Sequence, residues 1–543
     1  MPSVSDFLIE RMKNAGIQHV FGVPGDYVLN FYKKLSDCEE IEVIGTTDEN
    51  HAGFAADAYA RSKGIGCVCV TYNVGALKIA NAVACAYAER SPVVVISGSP
   101  GMKERGDGVL LHHMVRSFEC QKDIFDNITC ASIVLDDPTT AGYKIDKAFE
   151  ALKHHKQPIY IELPRDIADK SISYDVYKQG TPESPKTDKE NLQEALSEVL
   201  GWVTAAERPV ILAGVQLSRY GLHNELIKFA EKTNIPIAST LLSKSVVDET
   251  HPLFLGIYAG TASQKNVRKM VEDSDCLLMF GVLVTDMTLA FKPAKFTKRQ
   301  VVSCTVEGLR VKNHTFTDVV FKDFCEALFK AELPRLPGQK LEAKNKNFYF
   351  TPHPEDKITC GRFFEKINSI LNDKMVVVAD IGDSMFGAID LNVHARGGFI
   401  SPAFYTSMGF AIPGALGVQV AKPNHRPIVL VGDGAFQMSC TELSTIVSRG
   451  LNPIVFVLNN HGYTTERFLL DGPFNDIANW NYHRITEMIG GGIGYSVSTE
   501  GELETAIHNA LSSDKLNIIS VELGSKDISP ALLRMTDGLA KRV

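Results

Sequence analysis

The sequence predicts an α/β protein built from three doubly wound parallel-sheet domains. Three observations carry this expectation: short apolar runs opened by proline, amphipathic helix-length stretches between them, and two polar, proline-bearing segments that divide the chain into thirds. The runs are Pro92-Val-Val-Val-Ile, Pro158-Ile-Tyr-Ile, Pro209-Val-Ile-Leu, Pro427-Ile-Val-Leu-Val and Pro453-Ile-Val-Phe-Val-Leu. They lack polar alternation, so both faces of each strand are expected to be covered, as in parallel sheets. Proline is tolerated at the first position of a strand. Leu77 to Glu89 and Thr441 to Arg449 have apolar residues at helical spacing. Strands alternating with helices indicate α/β layers. Gln179 to Glu190 and Leu333 to Asp356 are rich in Pro and polar residues and read as linkers. They delimit candidate domains at 1–178, 190–333 and 356–543.

Composition narrows the class. The 543 residues include 45% hydrophobic and 22% charged side chains, enough apolar material for sizeable cores. A formal net charge of −8 argues against nucleic acid as a partner, and the basic cluster Lys344 to Lys346 is short. No run of 18 apolar residues occurs, so no membrane span is expected. Val4 to Gly16 mixes charges with apolar residues at helical spacing and does not read as a signal peptide. The 11 cysteines form no Cys-x-x-Cys pair, which fits a reducing compartment. The expected address is cytoplasmic.

One constellation is chemically specific. Val429-Leu-Val runs into Gly432-Asp433-Gly434; 24 residues later, after a second apolar run, come Asn459-Asn460. Asp433 and Asn460 are thus expected just beyond the carboxyl ends of two strands, where open α/β sheets bind ligands. A hard cation such as Mg2+ takes oxygen ligands and shares them with phosphates. Asp433, the Asn460 amide and a backbone carbonyl supply three. Gly106-Asp107-Gly108 has the same tripeptide without the matching asparagines, and reads as a turn.

The Gly432 to Asn460 arrangement resembles the signature of thiamine-diphosphate enzymes. Its continuation, His461-Gly462-Tyr463-Thr464-Thr465-Glu466, resembles the 2-oxo acid decarboxylases acting on pyruvate, indolepyruvate, phenylpyruvate and branched-chain oxo acids. The similarity spans nearly the whole chain. It implies pyrimidine-binding, middle and diphosphate-binding domains, in that order. It also implies thiamine diphosphate and Mg2+ as cofactors, and non-oxidative release of CO2 and aldehyde through the cofactor's ylid. Asp433, Asn460 and the Gly462 carbonyl would hold Mg2+, with Gly434, Ala435 and Tyr463 beside the diphosphate.

Further residues follow from the same resemblance. Thr47-Asp48-Glu49-Asn50-His51 is similar to the segment whose glutamate bonds the aminopyrimidine, which makes Glu49 the activating acid. In Tyr405-Thr406-Ser407-Met408-Gly409, Met408 would prop the cofactor into a bent form, and backbone groups of Thr406 and Met408 would contact its pyrimidine. Leu110-Leu111-His112-His113 is similar to the family's histidine pair, and Val20 to Asp26 to the segment supplying an acidic partner. Asp26 and His113 would protonate the enamine carbon and release aldehyde, His112 would position them or the cofactor, and Glu466 would act around carboxylate departure. The family's sites combine two subunits, so a homodimer or homotetramer is implied. Thr465 is smaller than the isoleucine common in pyruvate-specific relatives, which favours medium, branched or aromatic 2-oxo acids. Departures from the pattern are Ala76, where many pyruvate-type members have Glu, Asp383, where hydroxyl residues often meet the diphosphate, and Ala435, in place of a frequent serine. Alternatives are a pyruvate-preferring decarboxylase, an acetolactate synthase-like carboligase, which would lack the histidine pair, and a non-catalytic binding protein that kept the fold. Gly490 to Gly494 is glycine-rich but lacks the dinucleotide spacing.

Overall fold

The computed structural model describes residues 2–106, 108–172, 185–293, 295–339, 341 and 348–539. Residues 179–184 of the first expected linker, the boundary at 178, the Lys344 to Lys346 cluster and Asp107 lie outside the described residues. Three sheets are present. The first holds β1 (His19–Gly22), β2 (Glu42–Gly45), β3 (Gly66–Val70), β4 (Val93–Ser99), β5 (Ala131–Val134) and β6 (Ile159–Pro164). Its order is β2-β1-β3-β4-β6-β5, with every pairing parallel. The second holds β7 (Pro209–Ala213), β8 (Ile237–Thr240), β9 (Phe254–Tyr258), β10 (Cys276–Phe280), β11 (Val301–Thr305), β12 (Gly308–Val311) and β13 (His314–Phe316). Its order is β13-β12-β11-β10-β7-β8-β9. The third holds β14 (Met375–Ala379), β15 (Phe399–Ile400), β16 (Arg426–Gly432), β17 (Ile454–Asn459), β18 (Ile493–Val497) and β19 (Asn517–Glu522), ordered β15-β14-β16-β17-β19-β18 and again parallel.

All five proline-opened runs are strands: β4, β6, β7, β16 and β17. β3, β4, β6, β7 and β10 are buried along their whole length, as two-sided cover requires. The middle sheet adds what the parallel expectation did not include: β12 and β13 pair antiparallel. Here the connections Val306-Glu307 and Lys312-Asn313 are only two residues long, which suits a hairpin and not a crossover. β12 also alternates half-buried and buried positions, the pattern of a strand covered on one face.

By compactness the chain divides into two units. One is Met1–Ser184 with Ile412–Pro423 and Ser439–Arg449; the other is Pro185–Ala411 with Asn424–Met438 and Gly450–Val543. In the first unit a buried ion cluster ties two helices together. Arg61, on the helix Glu49–Lys63, bonds Asp57 on its own helix at 2.7 and 2.8 Å and Glu89, which ends the helix Ala76–Ala88, at 2.5 Å. Removing one member would strand a buried charge, a loss of about 3–5 kcal/mol. No helix among the described residues is long and apolar enough to cross a membrane.

Candidate active site

Four of the expected residues gather beyond the carboxyl ends of strands in the first sheet. After β2, Asp48 caps the helix Glu49–Lys63 by accepting from the Asn50 N–H at 2.8 Å, which fixes Glu49 as the first helical residue. Lys78, from the neighbouring helix Ala76–Ala88, places its Nζ 2.8 Å from Glu49 Oε2 and 2.5 Å from Asp48 Oδ2. These bonds raise the Lys78 pKa. At Asp48, burial opposes ionisation, but Lys78 and the Asn50 N–H outweigh it and the carboxyl sits below its ordinary range. The turn before Glu49 is held from below by Glu442. This fully buried side chain accepts from Thr47 N at 3.1 Å and Thr47 Oγ1 at 2.7 Å, and meets His51 Nδ1 at 3.1 Å.

β1 runs out to Asp26, and the loop after β4 brings in the histidine pair. His112 Nε2 lies 2.7 Å from Asp26 Oδ2, and His113 Nε2 lies 3.8 Å from Asp26 Oδ1. Tyr27 stacks on His112 with ring centroids 4.6 Å apart. His113 has φ +68°, uncommon for a residue other than glycine, and its carbonyl is fixed by Asn73 Nδ2 at 2.6 Å.

The edge of the third sheet differs. Asp433 follows β16 and is 1% exposed. Its Oδ1 accepts from Gly434 N at 2.8 Å and its Oδ2 from Gly462 N at 3.0 Å. Burial nevertheless pushes its carboxyl up to about 6, against the pull of those N–H groups. On the adjacent strand β17, Asn459 is followed by Asn460, which is 8% exposed; its Oδ1 is buried with no hydrogen-bond partner among the described residues. An unpartnered buried oxygen is costly. A hard cation at this edge satisfies it and favours the ionised form of Asp433, so the residues present fit Mg2+. The glycines are needed here. A Cβ on Gly462 would lie 2.0 Å from the Asn475 carbonyl oxygen, and one on Gly434 would lie 2.6 Å from the Tyr463 ring. Ala435 is buried and Tyr463 half-buried beside them.

Thr406 and Met408 lie in the loop after β15. Thr406 has φ +56° and Met408 is partly exposed. The loop is held by Asp380, the residue after β14, whose buried carboxylate accepts from Gly409 N at 3.1 Å and Ala411 N at 2.8 Å. Burial raises this carboxyl too, to about 6. Asp383 turns inward, accepting from Ser529 N at 2.6 Å, from the Ser529 hydroxyl and from Cys360 Sγ at 3.2 Å. Glu466 is exposed on the short helix Thr464–Arg467.

Comparison with known proteins matches the three thiamine pyrophosphate enzyme sequence models in order. The N-terminal TPP binding domain covers residues 2–122, the central domain 196–328 and the C-terminal TPP binding domain 380–521. Relatives match along the whole chain. An indole-3-pyruvate decarboxylase of Azospirillum brasilense is 31% identical over 541 residues, covering 98% of each chain. A probable pyruvate decarboxylase of Schizosaccharomyces pombe is 33% identical over 522 residues, covering 94% of this chain and 91% of its own. An alpha-keto-acid decarboxylase of Mycobacterium tuberculosis is 30% identical over 551 residues, covering 99% and 97%. The chain belongs to the thiamine-diphosphate-dependent 2-oxo acid decarboxylase family. It is an enzyme of that class, and its TPP-binding domains take thiamine diphosphate, with Mg2+ the family's usual metal.

Within this decarboxylase, Asp26, Glu49, His112 and His113 belong to the first unit, and the ligand atoms of Asp26, His112 and His113 lie within 4.8 Å of one another. Thr406, Met408, Asp433, Gly434, Ala435, Asn460, Gly462, Tyr463 and Glu466 belong to the second. Four residues of these surroundings were not singled out by sequence: Tyr27, Lys78, Asp380 and Glu442. Asp380 had a readable signal, an acid directly after the apolar run Met375-Val-Val-Val-Ala. Glu442 had none, since its partner Thr47 is 395 residues away.

Proposed function

We propose that this decarboxylase converts medium-chain, branched or aromatic 2-oxo acids to aldehydes and CO2, with pyruvate a poorer substrate. The observation that carries the site assignment is the buried, unpartnered Asn460 oxygen at the same sheet edge as the buried Asp433 carboxylate. Asp433, Asn460 and the Gly462 carbonyl would hold Mg2+, and Gly434, Ala435 and Tyr463 would line the diphosphate. Thr406 and Met408 would meet the pyrimidine through backbone groups, with the Met408 side chain as prop. When bound, thiamine diphosphate supplies the electron sink for carbon–carbon cleavage.

The chain's own groups then manage protons. Glu49 has to hold a proton for a ring nitrogen, and in this structure Lys78 Nζ stands 2.8 Å from its Oε2. Lys78 is half exposed, so it is free to swing out as a ring takes its place. Asp26 between two imidazoles forms a set from which one proton is delivered to carbon and another withdrawn from a hydroxyl as aldehyde leaves. His112, stacked on Tyr27, orients that set. Glu466 would act where the carboxylate departs.

Each complete site is proposed to combine two subunits of a homodimer or homotetramer, one giving Glu49, Asp26 and the histidines, the other Asp433, Asn460 and Glu466. Exposed apolar side chains flank both sets and support such cover: Leu110 beside His112, and Leu470 and Phe474 after Glu466. Domain bounds of 1–178, 190–333 and 356–543, and a cytoplasmic address consistent with 11 free cysteines, belong to the same reading.

The test is CO2 release from a panel running from pyruvate to phenylpyruvate and indolepyruvate, with and without thiamine diphosphate and Mg2+. Release should need both additions, and kcat/KM should be higher for branched or aromatic acids. A preference for pyruvate would sink the substrate reading. A ligated hydroxyketone as main product would favour a carboligase.

A further inference from the structure

The hydrogen bonds around His112 tie its ring to Tyr27 on one side and to Asp26 on the other. Tyr27 has a single hydroxyl proton. Its oxygen lies 3.2 Å from the His112 carbonyl, which can only accept, so the proton can point there. The same hydroxyl oxygen lies 3.3 Å from His112 Nδ1, where the imidazole tautomer decides which atom donates. In a neutral imidazole with hydrogen on Nδ1, Nε2 presents a lone pair. That nitrogen is 2.7 Å from Asp26 Oδ2. In the other tautomer Nε2–H donates to Asp26; in this one a metal cation can take the place of that proton between nitrogen and carboxylate.

The surroundings suit a metal. His113 Nε2 faces the other Asp26 oxygen at 3.8 Å, giving two imidazole nitrogens and a carboxylate around one point. Three such ligands with an open fourth position are a zinc-type donor set. A metal-binding histidine usually gives its second N–H to an outer partner, the role that Tyr27 fills for His112. The left-handed backbone of His113, pinned through Asn73, holds the second imidazole in place. In the isolated chain the Asp26 and His112 side chains are exposed, which leaves the cluster reachable by a cation until substrate or the partner subunit covers it. Nitrogen donors select a borderline cation over Mg2+, which prefers oxygen.

We propose that Asp26, His112 and His113 form a second divalent-metal site, taking Zn2+ or a similar transition cation, and that filling it inhibits decarboxylation by occupying the acid–base groups. The inhibition rests on the proton-handling role proposed above; the binding does not.

The test is equilibrium dialysis of the enzyme, loaded with thiamine diphosphate and excess Mg2+, against Zn2+. One Zn2+ per chain is expected. Its affinity should fall by about tenfold or more in D26N, H112A and H113A, and by about tenfold in Y27F, each checked for folding by circular dichroism. D433N should bind this Zn2+ unchanged. Equal binding in wild type, D26N, H112A and H113A, or loss of Zn2+ in D433N alone, overturns the site. In the wild type, CO2 release should fall as Zn2+ binds and return with a zinc-selective chelator while Mg2+ stays in excess. Stoichiometric Zn2+ without any fall overturns the inhibitory half. Dialysis does not depend on turnover, so a chain inactive on every 2-oxo acid would fail the proposed function while still testing the site.

Discussion

Counted from its own first strand, the first sheet has the order 2-1-3-4-6-5, and so has the third. Both place chemically useful side chains beyond strand carboxyl ends, yet the chemistry differs. In the first, Glu49 faces an ammonium group and Asp26 faces two imidazoles, all groups able to give or take protons. In the third, Asp433 and Asp380 are buried against backbone N–H groups, and burial pushes both carboxyls up to about 6. The same topology therefore serves two ends. Partly exposed acids with titratable partners can exchange protons. Buried acids with fixed dipoles hold something in place, a loop at Asp380 and, in the proposed reading, a cation at Asp433.

The largest effect should come from the proton-handling edge. Glu49→Gln keeps shape and removes the carboxyl proton, so CO2 release should fall about 10²–10⁴-fold while calorimetry still detects Mg2+-dependent thiamine diphosphate binding. Full turnover would remove Glu49 from its assigned role. At the cation-holding edge the split should reverse. Asp433→Asn takes away the charged protein ligand, and cofactor binding should itself weaken by about tenfold or more.

That contrast also has a pH signature. Protons and cation compete for Asp433, so Mg2+-dependent cofactor binding in the wild type should weaken as pH falls through about 6. Stability without metal runs the other way. A carboxyl whose folded pKa stands near 6, above its ordinary 3.8, contributes fully below 3.8 and loses that contribution as pH rises through 6. Thermal unfolding of the metal-free protein should therefore occur at lower temperature at pH 7 than at pH 4.5, as far as these two carboxyls decide it. Asp433→Asn should flatten the dependence in part, with Asp380 sustaining the remainder. An unchanged dependence would mean that the Asp433 carboxyl is not held in that way.

The two edges were unequally legible in the sequence. Asp433 and Asn460 each follow a continuous apolar strand at a fixed spacing, so pattern and topology led to them directly. Asp26 and the histidine pair are 86 residues apart, and only resemblance joined them before folding did. Lys78 and Glu442 stayed hidden because their effect lies in tertiary contact, with no local period to reveal it. Asp383 shows the reverse case: an acid in a candidate ligand segment spends its hydrogen bonds on Ser529 and Cys360 inside the unit. The proline-opened strands were readable because two-sided burial leaves an unbroken apolar run. The β12–β13 hairpin was not anticipated, because its alternating strand and two-residue turns are short and weak signals.

The smallest effect tests specificity at the third-sheet edge. Thr465 sits on the helix Thr464–Arg467, and its Oγ1 lies 3.6 Å from where a Cβ on Gly382 would stand, just beyond β14. A glycine opposite a threonine leaves room that a larger side chain would fill. Thr465→Ile replaces the hydroxyl with an ethyl group. A methylene in a pocket is worth about 1–3 kcal/mol of discrimination, so kcat/KM for phenylpyruvate should drop by about tenfold. If that space takes the substrate's side chain, pyruvate, which carries only a methyl group, should change by less than about threefold. Steady-state kinetics on the two acids gives the ratio directly. Equal losses on both would move Thr465 from the substrate pocket to general support of the edge, and the preference for larger oxo acids would need another origin.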